Sequence, residues 1–413
     1  MMELEVETRR RPVALASRNP AHYLVLGDFG ARSAAPVAVD RDNLDEILAS
    51  REVNLAGNRI REIEDFHPDR LYRNCEIFRD LREAGTETTS ARPQASPKPD
   101  LEKILRPQSL LEQIAEGGSD PLEQYIREVA RTHGSAPATN PKKTAQAKES
   151  ADRMRALLRH PRFQPVEAAW RGLDFVVRRT DDENARIHIA QFSKEELVSD
   201  LLEASDLKAT RTYALLHGRE WKGVFGLYSF GSDAADIELL GRIALLAASA
   251  KVPFVAEGSL AEDTMDMGDH WDELRSIPEA GHIGLVLPRL LLRLPYGPRT
   301  SPIEAFEFEE MPGAPEHGSY LWGSPAFACL TILARGDVRE EQEDELDLCN
   351  LPLHSYQEDG AWKTTPCAEV LMTQAQVEAL MDLGLMPVIS FRDADRIRLA
   401  GFRAINGKGL LNT

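Results

Sequence analysis

The sequence predicts an α/β protein in which helices flank a central mixed sheet. Short apolar runs, such as residues 224–230 and 283–287, are typical of buried strands. Longer segments between them, such as residues 233–250, carry apolar side chains three and four positions apart, which is the spacing of an amphipathic helix. Strands and helices alternate along residues 146–335, and this alternation is the order expected of an α/β unit.

The N-terminal part predicts two strands followed by two helices. Apolar residues at 23–26 and 37–39 predict the strands, and a Gly-Asp-Phe-Gly turn follows the first of them. A helix is expected to begin near Asn43, because Asn can cap the first turn of a helix. Another is expected to begin at Pro68, since proline lacks the backbone donor that a first turn leaves unpaired, and its apolar spacing continues as far as Leu81.

The C-terminal part predicts a longer series of elements. Ser193 and Glu196 form a capping box that predicts a helix start directly after a strand. Gly384 is expected to end a helix that begins after Thr373. The acidic run at 340–347 predicts a solvated loop. The other elements, in order, are helices at 147–158 and 165–177, strands at 186–192 and 224–230, a helix at 233–250, and strands at 253–256, 283–287, 386–391 and 397–402.

Composition divides the chain into three regions, residues 1–85, 86–150 and 151–413. The middle region opens with a stretch rich in Thr, Ser and Pro, which cannot bury enough apolar surface to fold, so we interpret the region as a linker. Amphipathic segments within it, residues 101–116 and 121–132, predict short docked helices. The apolar helix faces of the first region need a partner surface, so we expect that region to pack directly on the core of the third.

Charge and cysteine usage restrict the classes of partner. The net charge is −18 at neutral pH and the sequence pI is near 5.1, and an acidic surface repels phosphate, so no nucleic-acid partner is predicted. No apolar run approaches the ~20 residues that a membrane span needs, and no signal segment is evident, so no membrane insertion is predicted. The four cysteines match no zinc spacing and are expected to be inert thiols of a cytoplasmic protein.

The sequence contains none of the common catalytic motifs. A phosphate-binding GxxxxGK[ST] loop, a GxGxxG turn, an HExxH helix and a GxSxG elbow are all absent. The histidines do not fall four residues apart, as a pair of metal ligands on a helix would. We therefore predict no catalytic, cofactor-binding or metal-binding residue. An enzyme or small-ligand module of an unfamiliar kind is the alternative.

The segment 282–298 combines an apolar strand with two arginines and a bend. Arg289 and Arg293 lie four residues apart on what reads as an apolar turn, and Tyr296 begins a Tyr-Gly-Pro bend. Buried arginines require carboxylate or carbonyl partners. The acidic residues just downstream, Glu304, Glu307 and Glu309, are the expected partners. A structural salt bridge is favoured over an anion-binding clamp or an intersubunit contact.

This segment, LVLPRLLLRLPYGP at 285–298, resembles a signature of the large subunit of the type VI secretion contractile sheath. Other motifs of that family occur in the same order along the chain. They are FQPVEAAWRGL at 163–173, which includes Trp170 and Arg171; YSF and DIELL between 228 and 240; PIEAFEFEE at 302–310; and YLWG at 320–323, which includes Trp322.

Three N-terminal motifs resemble the small sheath subunit. They are LGDF at 26–29, VDRDNLDE at 39–46 and DFHPD at 65–69. The chain therefore resembles a small subunit fused to a large one. The resemblance implies a structural protein of the bacterial cytoplasm. Such a protein assembles into a hollow sheath around an inner tube, and the machine delivers effectors.

The resemblance also implies partners and contact residues. The implied partners are the chain itself or other sheath subunits, the inner tube protein, baseplate components and a recycling unfoldase of the ClpV type. The linker helix with Leu110, Leu111 and Ile114 is similar to the one that such an unfoldase recognises, although an ordinary docked helix explains it as well. The structural or interface candidates are Trp170, Arg171, Arg289, Arg293, Tyr296, Glu304, Glu309 and Trp322.

The sequence departs from the family pattern at three places, one of which is the acidic run at 340–347, where the family has a glycine-rich stretch. The second half of the small subunit is missing after Leu81, and the C-terminal part of the large subunit, beyond the strand at 386–391, is missing as well. Sheath subunits add strands from their chain ends to neighbouring subunits. A sheath-derived adaptor, terminator or baseplate accessory protein that does not polymerise is therefore an alternative to a sheath subunit.

Overall fold

The computed structural model of the chain describes residues 19–32, 34–87, 141–259, 268–336, 338 and 343–410. The predicted linker helices at 101–116 and 121–132 lie outside these residues. The strands of the described residues are β1 (Ala21–Gly27), β2 (Val37–Val39), β3 (Asn54–Leu55), β4 (Asn58–Arg59), β5 (Ala185–Gln191), β6 (Gly223–Phe230), β7 (Phe254–Gly258), β8 (Ile283–Leu287), β9 (Leu290–Leu291), β10 (Trp322–Gly323), β11 (Asp347–Leu348), β12 (His354–Glu358), β13 (Ala361–Thr365), β14 (Leu385–Ser390) and β15 (Ile397–Leu399).

Nine of these strands form one sheet, in the order β11-β15-β14-β8-β7-β6-β1-β5-β2. The six strands from β14 to β5 are parallel to one another. The pairings of β2 with β5, of β15 with β14 and of β11 with β15 are antiparallel. Short strand pairs β9–β10, β12–β13 and β3–β4 lie apart from this sheet. The mixed sheet with helices between its parallel strands confirms the predicted α/β class.

The N-terminal strand β1 occupies the middle of the sheet. Its Val25 is level with Ile189 of β5 on one side and with Phe225 of β6 on the other. Leu24, Val25 and Leu26 are fully buried. The first region was expected to pack on the core, but it also completes the sheet, because β1 supplies backbone hydrogen bonds to two neighbouring strands.

The helices are α1 (Leu44–Ser50), α2 (Pro68–Asn74), α3 (Arg79–Glu87), α4 (Pro141–Leu158), α5 (Gln164–Val177), α6 (Lys194–Leu202), α7 (Arg211–His217), α8 (Ala234–Ala250), α9 (Asp269–Ser276), α10 (Ala326–Leu333) and α11 (Gln374–Asp382). They form a layer on each face of the sheet. Because side chains alternate along a strand, β1 contributes to both layers. Leu24 and Leu26 pack with α6, α8 and α9, whereas Tyr23 and Val25 pack with α5 and α10.

Three predicted elements differ from the structure. The helix that begins at Pro68 ends at Asn74 instead of continuing to Leu81, and α3 starts separately. Cys75 between them is extended, and the guanidinium group of Arg82 donates to the carbonyl oxygen of Cys75 at 2.9 Å. Helical spacing of apolar residues continues across this break, so periodicity alone predicts one helix.

The second difference concerns the two arginines at 289 and 293. The residues between them form strand β9, which pairs with β10, so the arginines do not lie on one face of a helical turn. At the acidic run, residues 343–346 form a single 3-10 turn, and Asp347 belongs to β11, where it pairs with Arg396 and Arg398 instead of remaining solvated. Of the described helices, none is both long and apolar enough to cross a membrane.

Candidate functional site: a buried ion-pair network

Helix α5 supplies two charged residues of a buried network. A proline lies in the first turn of the helix, where its missing N–H would have no partner within the helix. Glu167 and Arg171 then lie one turn apart on the same side. Arg171 Nε donates to Glu167 Oε1 at 2.7 Å. Trp170 between them is fully buried and its indole N–H bonds to the chain just after β1. The helix is therefore held against the N-terminal strand while it presents these two charges to the loop that follows β9.

The loop after β9 contributes the second arginine and its partner. Arg293 Nε donates to Glu167 Oε1 at 2.9 Å, and its Nη1 and Nη2 donate to the two oxygens of Glu310 at 2.8 and 3.1 Å. The exposed fractions of the side chains are 0% for Glu167, 1% for Glu310 and 10% for Arg293. One guanidinium group thus bridges two buried carboxylates: Nε bonds to Glu167, and Nη1 and Nη2 bond to Glu310.

Tyr296 closes the network. Its backbone N–H donates to Glu310 Oε2 at 2.8 Å, and its hydroxyl accepts from Arg171 Nη2 at 2.9 Å. The guanidinium carbon of Arg293 lies 4.3 Å from the centre of its ring, and His67 packs edge-on against the ring at 5.1 Å. The four charged side chains and the tyrosine are therefore packed and hydrogen-bonded with one another.

The pKa values of the network follow from burial and pairing. Burial alone would raise the pKa of Glu167, but the guanidinium groups of Arg293 and Arg171 outweigh it and hold that pKa below its ordinary value. Burial acts to lower the pKa of Arg293, whereas Glu167 and Glu310 raise it well above its usual range. Burial raises the pKa of Tyr296 to about 12 in spite of the two arginines. Glu167, Arg171 and Arg293 are accordingly charged at neutral pH.

A second ion pair involves Arg289. Its guanidinium group makes two hydrogen bonds to the carboxylate of Glu369, with Nε–Oε2 at 2.9 Å, and His317 Nε2 lies 2.7 Å from Glu369 Oε1. The side chain of Arg289 is 39% exposed. This pair links the end of β8 to the segment that precedes α11.

The predicted partners of the two arginines are wrong. Glu304 and Glu309 bond to other groups through their main chains: Glu304 N donates to Asp69 at 2.9 Å, and the carbonyl oxygen of Glu309 accepts from Arg155 at 2.9 Å. Glu307 is not a partner of either arginine in the described contacts. The true partners are Glu167, Glu310 and Glu369. Glu310 directly follows the predicted Glu309, Glu167 lies four residues before Arg171, and Glu369 had no local signal.

Trp322 belongs to a neighbouring cluster rather than to the network. It lies in β10 beside Tyr320, and its indole N–H donates to the carbonyl oxygen of His317 at 3.0 Å. The hydroxyl of Tyr320 bonds to His354 Nδ1 and Thr365 Oγ1, each at 2.7 Å. These contacts fix the base of the β12–β13 hairpin against β9 and β10.

The sheet has a strand order that often accompanies ligand binding. After β1 the chain first adds β5 on one side of it and then crosses to add β6 on the other side, and ligands of such sheets bind at the carboxyl ends of the strands near this point. Here Lys194 fills that position, because its Nζ lies 2.6 Å from Asp236 and donates to the carbonyl oxygen of Ser229 at 2.7 Å. Gln191 bonds to Phe29 N at 2.7 Å. The polar groups at this position are satisfied by one another.

Three of the four cysteines are buried, whereas Cys349 is exposed. Cys75, Cys329 and Cys367 are buried thiols, and burial raises the pKa of Cys75 and of Cys367 to about 11. Within residues 19–32, 34–87, 141–259, 268–336, 338 and 343–410, no group of three or more His, Cys, Asp or Glu could hold a metal ion. The candidate unfoldase contacts Leu110, Leu111 and Ile114 lie outside these ranges. The network holds α5, the loop after β9 and the N-terminal region together.

Comparison with known proteins identifies two matches. A family model described as EvpB/VC_A0108, tail sheath N-terminal domain, matches residues 147–269 and 263–406. The chain is also 26% identical over 288 residues to the type VI secretion system sheath protein TssC1 of Pseudomonas aeruginosa strain PAO1. That alignment covers 60% of this chain and 57% of the relative, so the chain spans somewhat more than half of the relative's length. Helix α5, the arginine segment and Glu310 all lie within the family match.

Proposed function

The chain belongs to this tail sheath family, and on that premise we propose that it is a structural component of a type VI secretion contractile sheath. The observation that carries the proposal is the family match over residues 147–406, which includes every charged residue of the buried network. We propose a structural role without catalysis. The polar groups at the carboxyl ends of the central strands support this, since they bond to one another.

The N-terminal region is proposed to act as the small subunit of the sheath. Its strands β1 and β2 precede the family match and yet lie within the same sheet. Asp69 accepts hydrogen bonds from Glu304 N and Ala305 N at 2.9 and 2.8 Å, which ties this region to the loop that carries Glu310. We assign residues 1–85 to the small-subunit part, 86–150 to a linker and 151–413 to the large-subunit part.

The buried network is proposed to keep the subunit rigid. Contraction of a sheath transmits force through every subunit. A long loop that could shift within a subunit would absorb part of the movement that contraction transmits. Arg293 and Tyr296 fix the loop to α5, and His67 fixes it to the N-terminal region. Trp170, Arg171, Arg289, Glu304, Glu309 and Trp322 are proposed to serve the same structural role, through the contacts described above.

The proposed partners are further copies of the chain or other sheath subunits, the inner tube protein and baseplate components, in the bacterial cytoplasm. A recycling unfoldase of the ClpV type is proposed to contact Leu110, Leu111 and Ile114.

The test is co-expression of the chain with the inner tube and sheath proteins of its own secretion system, followed by negative-stain electron microscopy. Tubular assemblies that contain the chain are expected. A chain that stays a monodisperse monomer and co-sediments with none of these proteins would contradict the proposal. A hydrolytic or group-transfer activity that depends on Lys194 or Asp236 would contradict it as well.

A further inference from the structure

A shallow apolar groove lies between α8 and α9 on the surface of the protein. It encloses about 390 Å³, and the residues that line it are Ala234, Ile237, Glu238, His270, Glu273, Leu274 and Ile277. Its floor is aliphatic, while Glu238 and Glu273 stand on the rim with side chains that are 57% and 77% exposed. The groove is therefore suited to a short segment that combines apolar and cationic side chains.

The charge around the groove is predominantly negative. Asp269 and Asp272 lie on α9 beside Glu273. Arg275 on the same helix points away from the groove, since its guanidinium group donates to the carbonyl oxygens of Ile405 and Asp382 at 2.7 and 2.9 Å. Arg242 is the nearest cation on α8, and it bonds to the carbonyl oxygen of Leu201 at 2.6 Å as well as to Glu238 at 2.9 Å.

The N-terminal segment of the chain has the complementary character. Residues 9–11 are three consecutive arginines, the longest uninterrupted run of cationic residues in the sequence, and Val13 and Leu15 follow them within four positions. Such a segment can place apolar side chains on the floor of the groove while its guanidinium groups reach the carboxylates of the rim.

Val13 and Leu15, the apolar part of this segment, cannot reach the groove of their own chain. Tyr23 is level with Gly223 in the parallel pair β1–β6, so Asn19 lies about 36 Å before the level of Phe230 along the strands. Helix α8 begins just after that strand end and returns only ~5 Å by Ile237, which leaves about 30 Å to span. Leu15 is four residues from Asn19 and reaches at most ~14 Å.

We propose that the groove between α8 and α9 binds residues 9–15 of a second copy of this chain. Because the donated segment and the groove are different parts of the chain, such a contact can join successive copies head to tail. The inference rests on the proposed sheath function, for which it specifies one contact between subunits. It places the electrostatic part of that contact on Glu238 and Glu273.

A labelled peptide of residues 1–18 tests the contact directly. The acceptor is the full chain with Arg9→Glu, Arg10→Glu and Arg11→Glu, which cannot donate its own segment. We expect saturable binding by fluorescence anisotropy. The Kd should rise about tenfold or more with Glu238→Lys and Glu273→Lys in the acceptor. It should also rise with Val13→Ser and Leu15→Ser in the peptide, and between about 50 and 500 mM salt.

A matched control reverses two carboxylates elsewhere. Glu46→Lys and Glu183→Lys change exposed residues by the same total charge and should leave the Kd within about twofold. A peptide with glutamates at 9–11 should regain binding to the Glu238→Lys, Glu273→Lys acceptor. Absence of binding, or equal weakening by the control pair, would overturn the inference. If the groove variant still formed tubes, the inference would be overturned and the sheath function would stand. If the peptide bound but no tubes formed, the sheath function would be overturned and the inference would stand.

Discussion

The indole Nε1–H of Trp170 donates a hydrogen bond of 2.9 Å to the carbonyl oxygen of Phe29, and the two aromatic rings pack edge to face at 5.3 Å. Phe29 follows strand β1, which precedes the family match, whereas Trp170 lies within the match on α5. This contact joins the two parts of the chain that resemble separate subunits. It also holds α5 in place, so that Glu167 and Arg171 meet the arginine loop.

Replacement of this donor should destabilise the whole fold. Trp170 is fully buried, so Trp170→Phe removes the hydrogen bond to Phe29 and leaves unfilled volume beside it. We expect the free energy of unfolding to fall by about 2–4 kcal/mol, measured by urea denaturation. Trp362→Phe is the control, because that side chain is 64% exposed, and it should change the value by no more than ~0.5 kcal/mol. Equal effects of the two substitutions would contradict the role of this contact.

Loss of the guanidinium group of Arg293 should lower the free energy of unfolding more than Trp170→Phe does. Arg293→Ala leaves the carboxylates of Glu167 and Glu310 buried without their shared cation, and breaking a buried pair in this way costs about 3–5 kcal/mol. The melting temperature and the yield of soluble protein should both fall. Arg79→Ala removes an arginine whose pair with Glu83 is largely exposed, so it should leave the melting temperature and the yield close to those of the wild type. If Arg293→Ala were as mild as Arg79→Ala, the network would not stabilise the fold.

The network also predicts a dependence of stability on acid. The pKa of Glu167 is lower in the folded chain than its ordinary value of 4.5, so ionised Glu167 contributes stability that is fully present above that value. The contribution is lost as the pH falls through the lower, folded pKa. Glu167→Gln removes it at every pH. We therefore expect the difference in unfolding free energy between wild type and Glu167→Gln to be constant from pH 7 to about pH 5 and to shrink at lower pH.

Denaturation with urea at a series of pH values measures this difference. Glu83→Gln is the control, because Glu83 lies in an exposed pair whose energy is small, and its difference from wild type should stay close to zero throughout. A wild-type advantage over Glu167→Gln that grew on acidification would mean that Glu167 is protonated in the folded chain.

Signals that are local in sequence predicted the structure well. The capping box of Ser193 and Glu196 is present at the start of α6, and Thr373 caps α11. Gly384 adopts a φ of +79° just after α11 and its backbone passes against the carbonyl group of Ile405, so a side chain would not fit there. In each case the residues that decide the conformation lie within a few positions of one another.

Relationships between distant residues could not be predicted in the same way. Residues 23–26 read as a strand, but nothing local shows that this strand lies between β5 and β6. Arg289 and Arg293 were expected to pair with nearby glutamates, and Arg293 does pair with Glu310, 17 positions away. The other partners are distant, since Glu369 is 80 positions from Arg289 and Glu167 is 126 from Arg293. Burial of a charge requires a partner, but the fold decides which one.

The central position of β1 leads to a prediction about cleavage of the chain. A site for a specific protease is inserted within residues 88–140, outside the described elements, and the purified chain is cut there. Because β1 is paired on both sides and Phe66 packs against Phe163 at 5.9 Å, the two fragments should remain together and co-elute in size-exclusion chromatography under native conditions. They should separate only in denaturant.

The combination of Trp170→Phe with the cut should weaken the association, since it removes the contact to Phe29, whereas Trp362→Phe with the cut should not. An N-terminal fragment that eluted alone after cleavage of the wild-type chain would show that the first region is a separate domain and not part of the sheet.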